Sequence, residues 1–148
     1  MINIKIYKPF FYLILFFVIN MSAANAEKNF FNEAKQKFEE QKLEESKFLF
    51  QRNIVFNPKD FESYFYLAKI YQKEENKKEL EKNLNTTLLL KPDNEEAIYM
   101  LIDIKLKQSD FDKVNELKIK FSKVCNSLCS KLDSIEDRLK NIEAKNES

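Results

Sequence analysis

The chain is 148 residues long, the size of one ordinary domain, and carries 25 Lys and Arg against 24 Asp and Glu, a net charge of +1. It contains no Gly, no His and no Trp. The missing Gly excludes Gly-rich phosphate loops, and the missing His excludes His-based triads, His-ligated zinc and c-type haem attachment.

Residues 1–26 read as a secretory signal peptide. Lys5 and Lys8 form a basic start, Phe10 to Ile19 is an unbroken apolar run, and Ala24-Asn25-Ala26 is a small-residue cleavage site. The run is too short to span a bilayer core of roughly 30 Å. The alternative is an uncleaved segment that anchors the chain in the inner membrane. Glu27 stands where a lipoprotein would need its modified Cys. The first 26 residues hold two Lys and no acid, so the +1 of the full chain becomes −1 after cleavage. A near-neutral domain lacks the basic stripe that nucleic acid requires, so no nucleic-acid partner is expected.

From Glu27 onward good helix formers dominate and no alternating strand pattern persists. Pro58 and Pro92 lie in polar loops 34 residues apart. Shifting the chain by that distance aligns Phe31 with Phe65 and Tyr99, Phe30 with Tyr64 and Ile98, Ala34 with Ala68, Leu67 with Leu101, and Phe38 with Gln72 and Leu106. Each unit splits at a polar turn, near Glu40-Gln41-Lys42, Glu74-Glu75-Asn76 and Gln108-Ser109-Asp110. The expected units are about 27–60, 61–94 and 95–128, each a helix hairpin. A terminal helix follows at about 130–145, where Leu128, Leu132, Ile135, Leu139 and Ile142 recur at spacings of 3 and 4 while Asp133, Glu136, Asp137, Arg138 and Lys140 face away. Three hairpins and a capping helix make seven helices, in an all-α domain over about 27–145. Such a cap covers the apolar end of a repeat stack; a coiled-coil seam is the competing reading, with only about two heptads to support it.

The period, the helix pairs and the Pro near a unit's end resemble the tetratricopeptide repeat. Phe30 and Tyr64 match that family's early aromatic, Leu67 and Leu101 its Leu, Ala34 and Ala68 its small residue, and Tyr71 its Tyr. Leu43 and Phe111 match its apolar opening of the second helix, and Pro58 and Pro92 its closing Pro. Departures fall in the second helix, where the family's small positions hold Ser46, Leu80 and Val114, then Asn53, Thr87 and Phe121. The third unit has Asn126 in place of Pro and Ile102 in place of the small residue. The resemblance implies a right-handed superhelix of antiparallel hairpins whose first helices line a concave, partner-binding groove. It puts Phe31, Phe65 and Tyr99 in that groove, with Lys35, Lys69 and Asp103, and Phe38, Gln72 and Leu106. Packing between helices is the competing reading for each aromatic. The Asn partners of the family's carboxylate-clamp members are absent, so no such clamp is expected.

Cys125 and Cys129 are the two cysteines, at the corner before the terminal helix. In an exported protein they read as a structural disulfide. Buried free thiols, and a functional dithiol that handles redox equivalents or Cu(I), are the alternatives; the spacing is not C-x-x-C and no His completes a metal site. The paired acids Glu39-Glu40, Glu44-Glu45, Glu74-Glu75 and Glu95-Glu96 read as solvated helix faces. No nucleophile–base pair and no metal cluster is evident, and no cofactor is expected. The residues point to a non-enzymatic adaptor or scaffold, exported to the bacterial periplasm, that binds a peptide or protein through its concave face. A thiol protein and a structural subunit of an envelope complex are the alternatives. Membrane contact is expected only through an uncleaved signal segment.

Overall fold

The structure, a computed structural model, describes residues 30–146, with side chains through residue 142. The signal segment expected over residues 1–26 lies outside the described residues. The chain divides into two compact units that meet between Pro58 and Lys59. All regular elements among the described residues are helices, as the sequence predicts: α1 over residues 30–39, α2 Leu43–Phe56, α3 Phe61–Lys73, α4 Lys77–Leu90, α5 Glu95–Lys107, α6 Phe111–Val124 and α7 Lys131–Asn146. None of them is long and apolar enough to cross a membrane.

In the first unit α1 and α2 form one hairpin. Phe31 meets Phe50 edge-on at 5.7 Å between ring centroids, and Phe30 stacks on Phe56 at 5.8 Å with the Arg52 guanidinium 4.2 Å from the centroid of the Phe30 ring. Ala34, Ser46 and Phe50 are fully buried, and the Ser46 hydroxyl donates to the Ala34 carbonyl at 2.9 Å. That bond satisfies a hydroxyl that would otherwise be stranded in the core.

In the second unit α3 packs on α4, α5 packs on α6, α4 meets α5, and α7 lies against α6. The core is Leu67, Ala68, Ile70, Leu84, Ile98, Leu101, Ile102, Val114, Phe121 and Ile135. Ile135 and Leu139 are buried while Leu132 and Ile142 are half-buried, which is the apolar stripe of α7 turned inward.

The three tight turns are built alike. Gln41, Glu75 and Ser109, 34 residues apart, have positive φ of 60°, 57° and 57°. Around each, two backbone bonds close the helix end: Gln41 N–H to Phe38 O and Lys42 N–H to Lys37 O, Glu75 N–H to Gln72 O and Asn76 N–H to Tyr71 O, Ser109 N–H to Leu106 O and Asp110 N–H to Lys105 O. This is the left-handed helix cap usually supplied by Gly, in a chain that has none. Asn76 and Asp110 then start the next helix by accepting from the N–H groups of Glu79 and Lys113, whereas Lys42 at the same register makes no side-chain cap. Two of the longer links, after α2 and after α4, open on a proline. Asn57 and Lys91 precede Pro58 and Pro92 with φ near −130° (−129° and −134°), out of the helical region as the following ring demands.

Candidate functional site

The first unit carries Phe31 and Phe38 half-buried and Lys35 exposed, all on α1. In the second unit Phe65 is buried, 9% exposed, with the Lys69 ammonium 4.5 Å above its ring. Lys69 also pairs with Glu96 of α5 at 2.9 Å. Tyr99 is half-buried and leans on Phe121 at 6.0 Å. Asp103 accepts from the Arg138 guanidinium of α7 at 2.5 Å and lies 3.9 Å from Lys107. Leu106 is 3% exposed and belongs to the core of this unit, so it offers no surface of its own.

Part of this row borders a cleft of about 720 Å³ in the second unit, between the tip of the α3–α4 hairpin and α5. Leu80, Met100 and Ile104 supply apolar lining, and Gln72, Asp103 and Lys107 supply polar lining. Sequence alignment of the units finds Gln72 and Asp103. It passes over Met100, Ile104 and Lys107, although with Asp103 they recur at spacings of 3 and 4 and so form one stripe of α5; that periodicity was the available signal. One end of the region is braced by Lys105, which donates to Glu81 of α4 at 2.5 Å and to Gln108 at 2.9 Å. The Lys105 hydrogen bond, helped by Gln108, holds the Glu81 carboxyl below the usual range.

A second cluster lies at the α6–α7 corner. Cys125 and Cys129 form a disulfide with their Cα atoms 5.1 Å apart. The loop it closes wraps a carboxylate from α5. Asn126 N–H and Leu128 N–H donate to Glu95 Oε2 at 2.7 and 3.2 Å, Ser127 N–H donates to Oε1 at 3.2 Å, and the Ser127 hydroxyl donates to the same oxygen. The Asn126 N–H bond, then the Ser127 hydroxyl, hold the Glu95 pKa down at about 2. This corrects the reading of Glu95 as half of a solvated acidic pair. Sequence spacing carries no signal for it, because its donors lie 31 to 33 residues further on. Arg138 is likewise half-buried and engaged with α5 rather than facing away.

Among the described residues no group of three or more His, Cys, Asp or Glu could hold a metal ion. No family model matches the chain, and no curated protein matches it. The fold is similar to that of solved structures. One is the crystal structure of the Yersinia enterocolitica type III secretion chaperone SycD in complex with a peptide of the translocator YopD, with a TM-score of 0.68 over 82% of this chain and 95% of that one. Identity is 10%, so the likeness is one of fold, an all-α architecture of packed helix hairpins.

Proposed function

We propose that the chain is a divergent tetratricopeptide-repeat module that binds a peptide or protein partner, an adaptor rather than an enzyme. The observation that carries this reading is the cleft of about 720 Å³ beside α5, apolar in its lining at Met100 and Ile104 and charged at Asp103 and Lys107. A fold similar to this one has been crystallised with a peptide bound, which supports the same reading. On it, Lys69, Tyr99 and Asp103 are the contact groups of the second unit, with Phe65 and Leu106 buried beside them. Phe31, Lys35 and Phe38 are the contact groups of the first unit, taken by itself. Residues 1–26 direct export to the bacterial envelope, with the periplasm as the place of action.

Photo-crosslinking in cells tests this, with the reactive side chain placed at Met100, at Lys107 and, as control, at the exposed Asn115 of α6. A product shared by Met100 and Lys107 and missing at Asn115 is the expected result. The same products from all three positions, or none from any, overturn the assignment of the cleft.

A further inference from the structure

The corner between α6 and α7 is built differently from every other link in the described chain. Its polar N–H groups do not go to a local capping side chain. Those of Asn126, Ser127 and Leu128 converge on the Glu95 carboxylate of α5. Three successive N–H groups turned toward one anion require the loop to hold a concave backbone shape. The Cys125–Cys129 bond closes this stretch into a ring of five residues. Cys129 is the exposed residue of the pair and Cys125 the half-buried one, so Cys129 is the side from which an incoming thiol would approach. Beyond the loop, α7 is held by few groups: Ile135 and Leu139 are its buried side chains among residues 131–142, and its ion pairs are Arg138 with Asp103 and Glu136 with Lys118. The Lys118 pair is at 3.3 Å between partly exposed groups, where such pairs contribute little.

We propose that the Cys125–Cys129 disulfide is a redox latch that, through the N–H groups it shapes around Glu95, fixes the terminal helix α7 on the second unit. A dithiol reductant opens it. A thiolate of the reductant attacks Cys129 Sγ and displaces the Cys125 thiolate, which takes up a proton. The reductant's second thiol then resolves the mixed disulfide and releases Cys129 as a thiol. The protein gains two electrons and two protons, and the reductant leaves as its own disulfide. The opened loop no longer holds its three N–H groups together, Glu95 loses donors, and α7 detaches locally. Because Arg138 leaves with α7, Asp103 on the wall of the cleft exchanges its Arg138 partner for Lys107 alone, 3.9 Å away on its own helix. That consequence rests on the reading of the cleft given above; the latch itself does not.

The test reads the latch alone, by amide hydrogen exchange and by NMR titration of Glu95 in the full chain, oxidised and after treatment with dithiothreitol. Reduction is expected to speed exchange in residues 131–142 by roughly 10- to 30-fold, the weight of one small ring closure, while α3 and α4 keep their rates. Glu95 is expected to titrate at about 2 when oxidised and to move up toward 4.5 when reduced. The Glu95→Gln variant, with its disulfide intact, is expected to show accelerated exchange in α7 as well. Unmoved α7 exchange and an unmoved Glu95 on reduction overturn the latch. So does an equal acceleration across α3 and α4, which is global loosening, or an E95Q variant whose α7 exchanges at the oxidised wild-type rate.

Discussion

The link from α4 to α5 and the link from α6 to α7 begin at the same register and end by different chemistry. Lys91 N–H bonds to Thr87 O at 2.7 Å, and 34 residues later Cys125 N–H bonds to Phe121 O at 2.8 Å. After that the first link is self-sufficient. Pro92 keeps the chain out of the helical region, Lys91 pairs with Asp93 at 3.0 Å, and Asn94 caps α5 by accepting from Ala97 N–H at 2.9 Å. In the second link Asn126 replaces the Pro and Leu128 stands at the register of Asn94, where an apolar side chain accepts nothing. The N–H groups left over turn to Glu95, on the helix that the first link starts. A connection that has lost its local stop signals is thus closed by one covalent bond and by one distant carboxylate.

This contrast ranks the expected effects. The largest falls on what holds α7 after the link. Ile135 is fully buried, and Ile135→Ala is expected to lower the stability of the second unit by about 3 kcal/mol, through lost burial and the cavity left behind. Urea unfolding followed by circular dichroism measures it. A loss below about 1 kcal/mol would mean that α7 is held by its loop alone.

Next come the links themselves. Replacing both cysteines, Cys125→Ser with Cys129→Ser, releases a five-residue ring and is expected to cost about 2 kcal/mol in the local stability of α7, read by amide exchange in that helix. Pro92→Ala in the other link is expected to cost well under about 1 kcal/mol, since Lys91, Asp93 and Asn94 still hold that turn. Equal losses would erase the distinction between a local and a borrowed closure. Acid separates them as well. The Glu95 carboxyl is depressed from 4.5 to about 2 in the folded state, so it stabilises the fold above pH 4.5 and that contribution fades as pH falls from about 4.5 toward 2. In that window wild type is expected to lose more stability than Glu95→Gln. Parallel pH profiles for the two would show that the carboxylate holds no special place in the link.

What could be read from the residues follows the same division. The turns at Gln41, Glu75 and Ser109, the stops at Pro58 and Pro92 and the inward stripe of α7 depend on neighbours within a few positions, and sequence displays them. The Glu95 cradle, the Arg138–Asp103 pair and the Lys69–Glu96 pair join residues 27 or more apart, where helix periodicity says which face a side chain occupies but not what stands opposite. Phe65 and Leu106 show the same limit in packing. The family resemblance puts them on the groove side of α3 and α5, while both are buried, because a face shared with a neighbouring helix counts as core. The pairing of Cys125 with Cys129 sits between these cases: spacing permits it, and only the non-helical backbone of the corner brings the Cα atoms to 5.1 Å.

A further small effect has the opposite sign and concerns the turns that every hairpin shares. Glu75 and Ser109 hold φ of 57°, a conformation in which any Cβ crowds the backbone, by roughly 1 kcal/mol or more. Glu75→Gly and Ser109→Gly are therefore expected to stabilise the second unit by about 0.5–1 kcal/mol each, since relief of that crowding outweighs the greater freedom Gly brings to the unfolded chain. The same substitution inside a helix, Lys82→Gly in α4, is expected to destabilise by about 1 kcal/mol, mostly through backbone entropy with a small share from the exposed Lys82–Glu79 pair. If Glu75→Gly destabilises as Lys82→Gly does, the left-handed turn is not the conformation that closes the α3–α4 hairpin, and the parallel between the three hairpins fails at its most regular point.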